Sequence, residues 1–155
     1  LENAGVTLNN AGLPNFNNNT MQIEDTNMFL AGDINGVLPI LHEAGDEGKI
    51  AGYNASHDTV KAFKRKPLLA ITFCDPNIVT VGALYSELDK DTTAVGEIQM
   101  GPVGRALIMG QNKGVIRVYV DKNSAKILGA TLISTRGENL AHLIAWAIQM
   151  DMTVF

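Results

Sequence analysis

Cysteine, long apolar runs and positive charge are the scarcest features of this chain. A single cysteine, Cys74, in 155 residues excludes an internal disulfide, a CxxC redox pair and any cysteine-rich zinc site. It also points to a reducing, cytoplasmic setting. No apolar stretch approaches the roughly 20 residues that a bilayer crossing needs, and the mean hydropathy is only slightly positive. Leu1-Glu2-Asn3-Ala4 offers neither an initiator Met nor a basic region leading into an apolar one. The expectation is a soluble chain that begins mid-protein and has no membrane partner. A net charge of −4 argues against a nucleic-acid partner, which would select for a basic surface. The one basic cluster, Lys61, Lys64, Arg65 and Lys66, reads as the solvated C-terminal end of a helix.

What is present divides the chain in two. The first 20 residues hold seven Asn and read as loop with little core, because Asn competes for its own backbone. Met28-Phe29-Leu30-Ala31 predicts a short buried strand ending in a tight loop at Gly32-Asp33, with Asn35-Gly36 as a turn signal. From Pro39 to about Phe63 the pattern is helical, with acids early and bases late. Ala44, Gly48, Ala51 and Ala55 share one helix face, where side chains nearly vanish and another backbone is expected to approach closely. Pro67 should end the helix and marks a boundary.

Beyond the boundary the pattern turns to β. Leu68–Phe73, Ile78–Leu84 and Ala94–Met100 predict strands, and Val115–Val120 with Lys126–Ile133 predict a hairpin around Asp121-Lys122-Asn123-Ser124. Ile116, Val118 and Val120 fall on one face, Arg117 and Tyr119 on the other. Leu140, Leu143, Ile144, Ala147 and Ile148 fall at helical spacing, with Glu138 near the start, and predict a last helix. The fold class is therefore α+β: the end of an α/β unit, then a mainly antiparallel sheet with a helix.

Two motifs carry more than pattern. Thr26-Asn27-Met28-Phe29-Leu30-Ala31-Gly32-Asp33 is followed by His42-Glu43-Ala44 and Glu47-Gly48, so a strand delivers an acid beside a helix start, where open α/β sheets bind ligands. The run resembles the second FAD-binding signature of the pyridine nucleotide-disulfide oxidoreductases, T-x-x-x-(F/Y)-A-x-G-D before A-H-x-A-x-x-E-G. The resemblance implies that Asp33 contacts the ribityl part of FAD and that amides at the helix start face the pyrimidine edge of the flavin. By position these belong to Ile40, Leu41 and His42, since Pro39 has no amide proton. It also implies that the helix dipole favours reduced, anionic flavin. His42 is read as a structural neighbour of the flavin, not a catalyst.

The second motif, Phe73-Cys74-Asp75-Pro76-Asn77-Ile78-Val79-Thr80-Val81-Gly82, resembles F-T-x-P-E-(I/V)-A-x-V-G, the opening of that family's dimerisation domain. Gly104-Arg105-Ala106 and Gly129-Ala130 continue the likeness. Cys74 stands where Thr is usual, Asn77 where Glu is usual and His142 where Glu is frequent. Cys74 is expected inside an apolar strand as an inert hydrophobe. On this reading residues 1–66 are the C-terminal part of an FAD-binding domain, and residues 67–155 a dimerisation domain truncated at its C-terminus.

The resemblance implies FAD, with NAD in the full-length protein, a homodimer, and electron transfer between a dithiol and NAD. Dihydrolipoamide is the first-choice substrate, with a 2-oxo acid dehydrogenase complex as a partner; glutathione, other disulfides and mercuric ion stay open. The sequence holds no G-x-G-x-x-G, no CxxxxC pair and no His-Pro segment. No catalytic or metal-ligating residue is therefore assigned, and the chain alone is expected to be inactive and not to retain FAD. Two other readings are a stand-alone dimerisation or binding module without catalysis and an unrelated α+β domain.

Overall fold

The computed structural model describes residues 2–155, which fall into two compact units, Leu1–Arg65 and Lys66–Phe155. No described helix is long and apolar enough to cross a membrane.

The first unit has one long element, helix α1 (Leu41–Ala55). Its remaining residues form turns pinned by short polar side chains. The Asn9 Oδ1 atom accepts from the amides of Ala11 and Leu13, and the Asn17 Oδ1 atom from Asn19, the local bonding that makes Asn a turn residue. Isolated bridges join Leu8 to Pro14, Phe16 to Ile23 and Gln22 to Phe29. Contrary to the expectation of little core, Val6 and Pro14 are buried, and just beyond residue 20 so are Met21 and Ile23. The strand expected at Met28–Ala31 is reduced to the Phe29 bridge and half-buried residues. Its partner, Met21–Ile23, bends away at both ends, with positive φ at Met21 and Glu24, so no ladder can propagate.

Helix α1 also differs from expectation at its end, stopping at Ala55 well short of Phe63 and Pro67. The cause is Asn54. Its side chain accepts from the Lys61 amide at 2.8 Å and donates to the Thr20 and Lys61 carbonyls, both at 2.9 Å. Those bonds replace helical ones and turn residues 56–61 back. The buried side chains of α1 are Glu43, Glu47, Ile50 and Asn54, one position before the small-residue face of Ala44, Gly48, Ala51 and Ala55, or about 100° away around the helix. No heavy atom of the described residues lies within 4 Å of where a Cβ would stand at Gly45, Gly48 or Gly52, whereas Gly32 comes near this face, where a Cβ on it would lie 3.6 Å from that of Ala44.

The second unit is a five-stranded antiparallel sheet in the order β1-β2-β5-β4-β3. Its strands are β1 (Leu69–Thr72), β2 (Asn77–Gly82), β3 (Thr93–Gln99), β4 (Val115–Asp121) and β5 (Ile127–Ser134). A short helix, α2 (Gly104–Ile108), links β3 to β4, and α3 (Gly137–Gln149) follows β5. All five strands fall within about two residues of those read from the sequence. The core lies between α3 and the sheet: Val79, Val81, Ala130 and Leu132 are fully buried beneath Ala141 and Ala145.

Two glycines set how tightly β2 and β5 meet. Gly82 (φ +66) is paired with Gly129. A Cβ on Gly129 would lie 2.4 Å from the Ala83 carbonyl oxygen, and one on Gly82 would lie 2.5 Å from that of Leu128. No larger residue fits at either place. At the far end, Gly137 opens α3 where a side chain would press on Val79 and Asn77.

The apolar residues at helical spacing on α3 do not all face the core. Ile144 and Ile148 pack on the core, but the closest positions are Gly137, Ala141 and Ala145, and Leu143 (60%) and Trp146 (68%) are exposed. Small residues let the helix approach the sheet, and the large ones are turned outward. On the opposite sheet face Tyr119 is buried, donating to the Thr131 hydroxyl at 2.8 Å with the Tyr85 ring beside it. Arg117 pairs with Glu97 directly across β3 and β4 at 2.6 Å.

Replacing Leu132 by Ala is expected to lower stability by about 3 kcal/mol through lost burial and a residual cavity. Leu143→Ala should cost less than about 0.5 kcal/mol. Urea unfolding of both variants measures this, and equal losses would place Leu143 in the core. In the β4–β5 turn the Asp121 carboxylate accepts from the Ser124 hydroxyl and from the Ser124 and Asn123 amides. The Ser124 side-chain bond, then the backbone bonds, hold its pKa below the ordinary value. A depressed folded pKa gives stability that is present above the unfolded pKa and fades as pH falls through the folded one. Ser124→Ala should raise the Asp121 pKa toward its usual value in an NMR titration.

Candidate functional site

The site forms where the turn after Ala31 meets the start of α1. Gly32 takes φ 83 and ψ −167, a conformation open to glycine alone, and Asp33–Asn35 follow as a 3-10 turn closed by Gly36 at φ 73. The Glu47 carboxylate, nearly two turns into α1, binds this turn. Its Oε2 atom accepts from the Gly32 amide and from the Asn35 Nδ2 group, both at 2.7 Å. Asn35 in turn accepts from the Val37 amide at 2.8 Å. Asp33 sits between the two anchored residues with its carboxylate exposed.

The helix start completes the arrangement. Ile40 is the N-cap in extended geometry, with no side-chain cap, and its own amide donates to the Leu38 carbonyl at 2.8 Å. Ile40 therefore cannot supply the free donor expected of it. The first amide bonded along the helix is that of Ala44, to Ile40 at 3.0 Å, which leaves Leu41, His42 and Glu43 as the three donors a helix start presents. Leu41 is 90% exposed, and the His42 ring is exposed with Nε2 3.9 Å from a Glu43 carboxylate oxygen. An exposed acid and free helix-start amides on one anchored frame suit a ligand that has both hydroxyls and hydrogen-bond acceptors.

Behind that frame lies a buried ion cluster that the sequence reading did not find. Arg65 donates through Nη2 to Glu43 Oε2 at 2.7 Å and to Glu47 Oε1 at 3.3 Å. Its Nη1 reaches the backbone and side-chain oxygens of Asn18, both at 3.2 Å. Glu43 and Glu47 are both buried. Arg65 is thus not part of a solvated helix end: α1 has already stopped, and the extended segment after it carries the guanidinium back to the helix. The available signal was the Glu43/Glu47 pair, two acids one turn apart on a helix with a base cluster downstream.

The remaining candidates are dispersed. Cys74 is exposed in the bend after β1, with its sulfur 3.1 Å from the Pro76 carbonyl oxygen, and not buried in a strand; β1 ends at Thr72 before reaching it. The His57 ring stacks on Tyr53 at 4.0 Å, and His142 is exposed on α3. Among the described residues no three His, Cys, Asp or Glu side chains converge as a metal site.

Comparison with known proteins fixes the family. The family model described as pyridine nucleotide-disulphide oxidoreductase, dimerisation domain, matches residues 69–155. The chain belongs to this family. Over 157 aligned residues it is 29% identical to a dihydrolipoyl dehydrogenase of Haloferax volcanii, covering 99% of this chain and 33% of that protein. Dihydrolipoyl dehydrogenase 3 of Haloarcula marismortui is 30% identical, with 97% and 31% covered. A mercuric reductase of Staphylococcus aureus is 25% identical, with 99% and 28% covered. The chain thus spans about a third of the length of these relatives. Among solved structures, LpdA from Mycobacterium tuberculosis superposes with TM-score 0.79 at 23% identity, covering 97% of this chain and 33% of that one. The HOCl-induced flavoprotein disulfide reductase RclA from Escherichia coli gives 0.76 at 20%, with 98% and 35% covered. These likenesses establish the α+β fold with its antiparallel sheet.

Removing the Glu47 carboxylate would strand the Gly32 amide, the Asn35 side chain and part of Arg65. Glu47→Ala is expected to cost about 3 kcal/mol or more, as when one partner of a buried ion pair is deleted. Amide exchange at Gly32 should quicken in the same variant, and unchanged protection there would remove Glu47 from its anchoring role.

Proposed function

We propose that this chain serves as the C-terminal-side part of an FAD- and NAD-dependent oxidoreductase of the dihydrolipoamide dehydrogenase type, passing electrons between a dithiol and NAD through FAD. One observation carries the cofactor assignment: Asp33 is held by its Glu47-anchored neighbours with its carboxylate exposed, on the same frame as the free amides of Leu41, His42 and Glu43. FAD, when bound, supplies the two-electron carrier. Asp33 accepts a ribityl hydroxyl, and the helix-start amides donate toward the pyrimidine edge of the flavin, orienting the ring. Ile40 contributes position through its N-cap geometry rather than its amide.

Dihydrolipoamide is preferred as the dithiol because several relatives, including those from Haloferax volcanii and Haloarcula marismortui, carry the name dihydrolipoyl dehydrogenase. On the same ground a 2-oxo acid dehydrogenase complex is the proposed assembly partner and the cytoplasm the proposed setting. The likeness to mercuric reductase keeps a metal-ion substrate as the second reading. The second unit acts as the interface of a homodimer, for which the exposed Leu143 and Trp146 on α3 and Met150 just after it supply apolar surface. The dithiol pair, the phosphate loops and a His-Pro acid-base residue are not among these residues, so the chain by itself is proposed to be inactive and to lose FAD.

In the full-length flavoenzyme, Asp33→Ala should weaken FAD binding about tenfold or more, the effect of losing one charge-assisted hydrogen bond, read as visible flavin absorbance per polypeptide at limiting FAD. Undiminished loading would reject the Asp33 assignment. The isolated chain should self-associate in sedimentation at high concentration, and Trp146→Asp should shift it toward monomer with its circular dichroism retained. A strictly monomeric chain would reject the interface.

A further inference from the structure

In the second unit, α2 and the β5–α3 junction enclose an open cavity of about 220 Å³. Its lining is mostly apolar, with Met100, Val103, Ala106 and Met109, and it also holds Arg105 and Arg136, both exposed. Neither guanidinium is engaged by a carboxylate, carbonyl or hydroxyl among the described residues. Arg65 and Arg117 both have carboxylate partners, whereas the two arginines at this cavity have none among the described residues.

The backbone adds a second observation. Arg136 lies in the left-handed region at φ 55 and ψ 33, where a side chain is unfavourable and glycine is the natural occupant. A strained, charged residue without a partner is a pointer to function. Methionine walls adapt to a flexible aliphatic chain, while arginine forks match the planar geometry of a carboxylate. We infer that this cavity binds a small amphipathic monocarboxylate, its tail between Met100 and Met109 and its carboxylate on Arg105 and Arg136. The volume falls below the roughly 300 Å³ of sites for drug-sized ligands, which suits a chain of about six carbons. This inference stands apart from the flavin assignment, since it involves neither Asp33 nor α1.

The test is a titration of the 155-residue chain with hexanoate, following the methyl NMR signals of Met100 and Met109. Saturable shifts at both methyls are expected, with much weaker effects from acetate, which lacks the tail, and from 1-hexanol, which lacks the charge. Arg105→Gln and Arg136→Gly should each weaken hexanoate binding about tenfold. Arg136→Gly also relaxes the left-handed residue, so its melting temperature should hold or rise, separating lost binding from lost fold. The proposal is overturned if the methyls do not shift saturably, if 1-hexanol binds as tightly as hexanoate, or if both arginine variants keep the original affinity.

Discussion

A buried carboxylate organises the first unit. Taking Glu47 out of water costs several kcal/mol, and such a charge persists only when its oxygens are well supplied with donors. One oxygen accepts from Gly32 and Asn35, the other from Arg65. Those three partners come from either side of α1 in the chain, so a single side chain ties the turn before the helix to the extended segment after it. Asn54 repeats the device two turns later, joining Thr20 to Lys61. Apolar burial is thin here, with Val6, Pro14, Met21, Ile23 and Ile50 as the buried apolar side chains among the described residues. Order in this unit therefore rests largely on directional polar bonds, which fix geometry more sharply than apolar contact does.

The second unit follows the opposite rule. Its core is apolar and continuous, and its polar pairs, such as Arg117 with Glu97, lie on exposed surface where they contribute little. Close approach of backbones is the controlling constraint, set by Gly82 facing Gly129 and by the Gly137, Ala141 and Ala145 face of α3. Filling that seam with small residues leaves Leu143 and Trp146 nowhere to go but outward.

This contrast explains what the sequence disclosed. Strands β1 to β5 were legible because apolar runs bounded by turn residues are a local signal, and Asp33 beside a helix start was legible because the motif places them a fixed distance apart. The end of α1 was not, since Asn54 stops the helix by bonding residues 7 and 34 positions away. The role of Arg65 was hidden for the same reason: its carboxylate partners lie 22 and 18 residues back, and a basic cluster reads alike whether solvated or paired. The inner face of α3 was not legible because apolar periodicity marks large residues, whereas this seam selects small ones. Cys74 was expected inside a strand, but β1 ends at Thr72, two residues before it.

The ion cluster also changes how the start of α1 can act on a flavin. A helix N-terminus is equivalent to about half a positive charge. Directly behind it lie Glu43 and Glu47 against Arg65 alone, a formal sum of one negative charge, and Glu43 is itself among the first-turn residues that offset the dipole. The net field at the amides therefore does not favour an anion through the dipole. What the frame retains is directional: the amides of Leu41, His42 and Glu43 point where the helix axis points, held there by bonds to Gly32 and Asn35. On the proposed flavin wall these residues work as aimed hydrogen-bond donors, whose strength depends on alignment, and Arg65 matters by cancelling one of the two charges that would otherwise oppose electron density arriving at that edge.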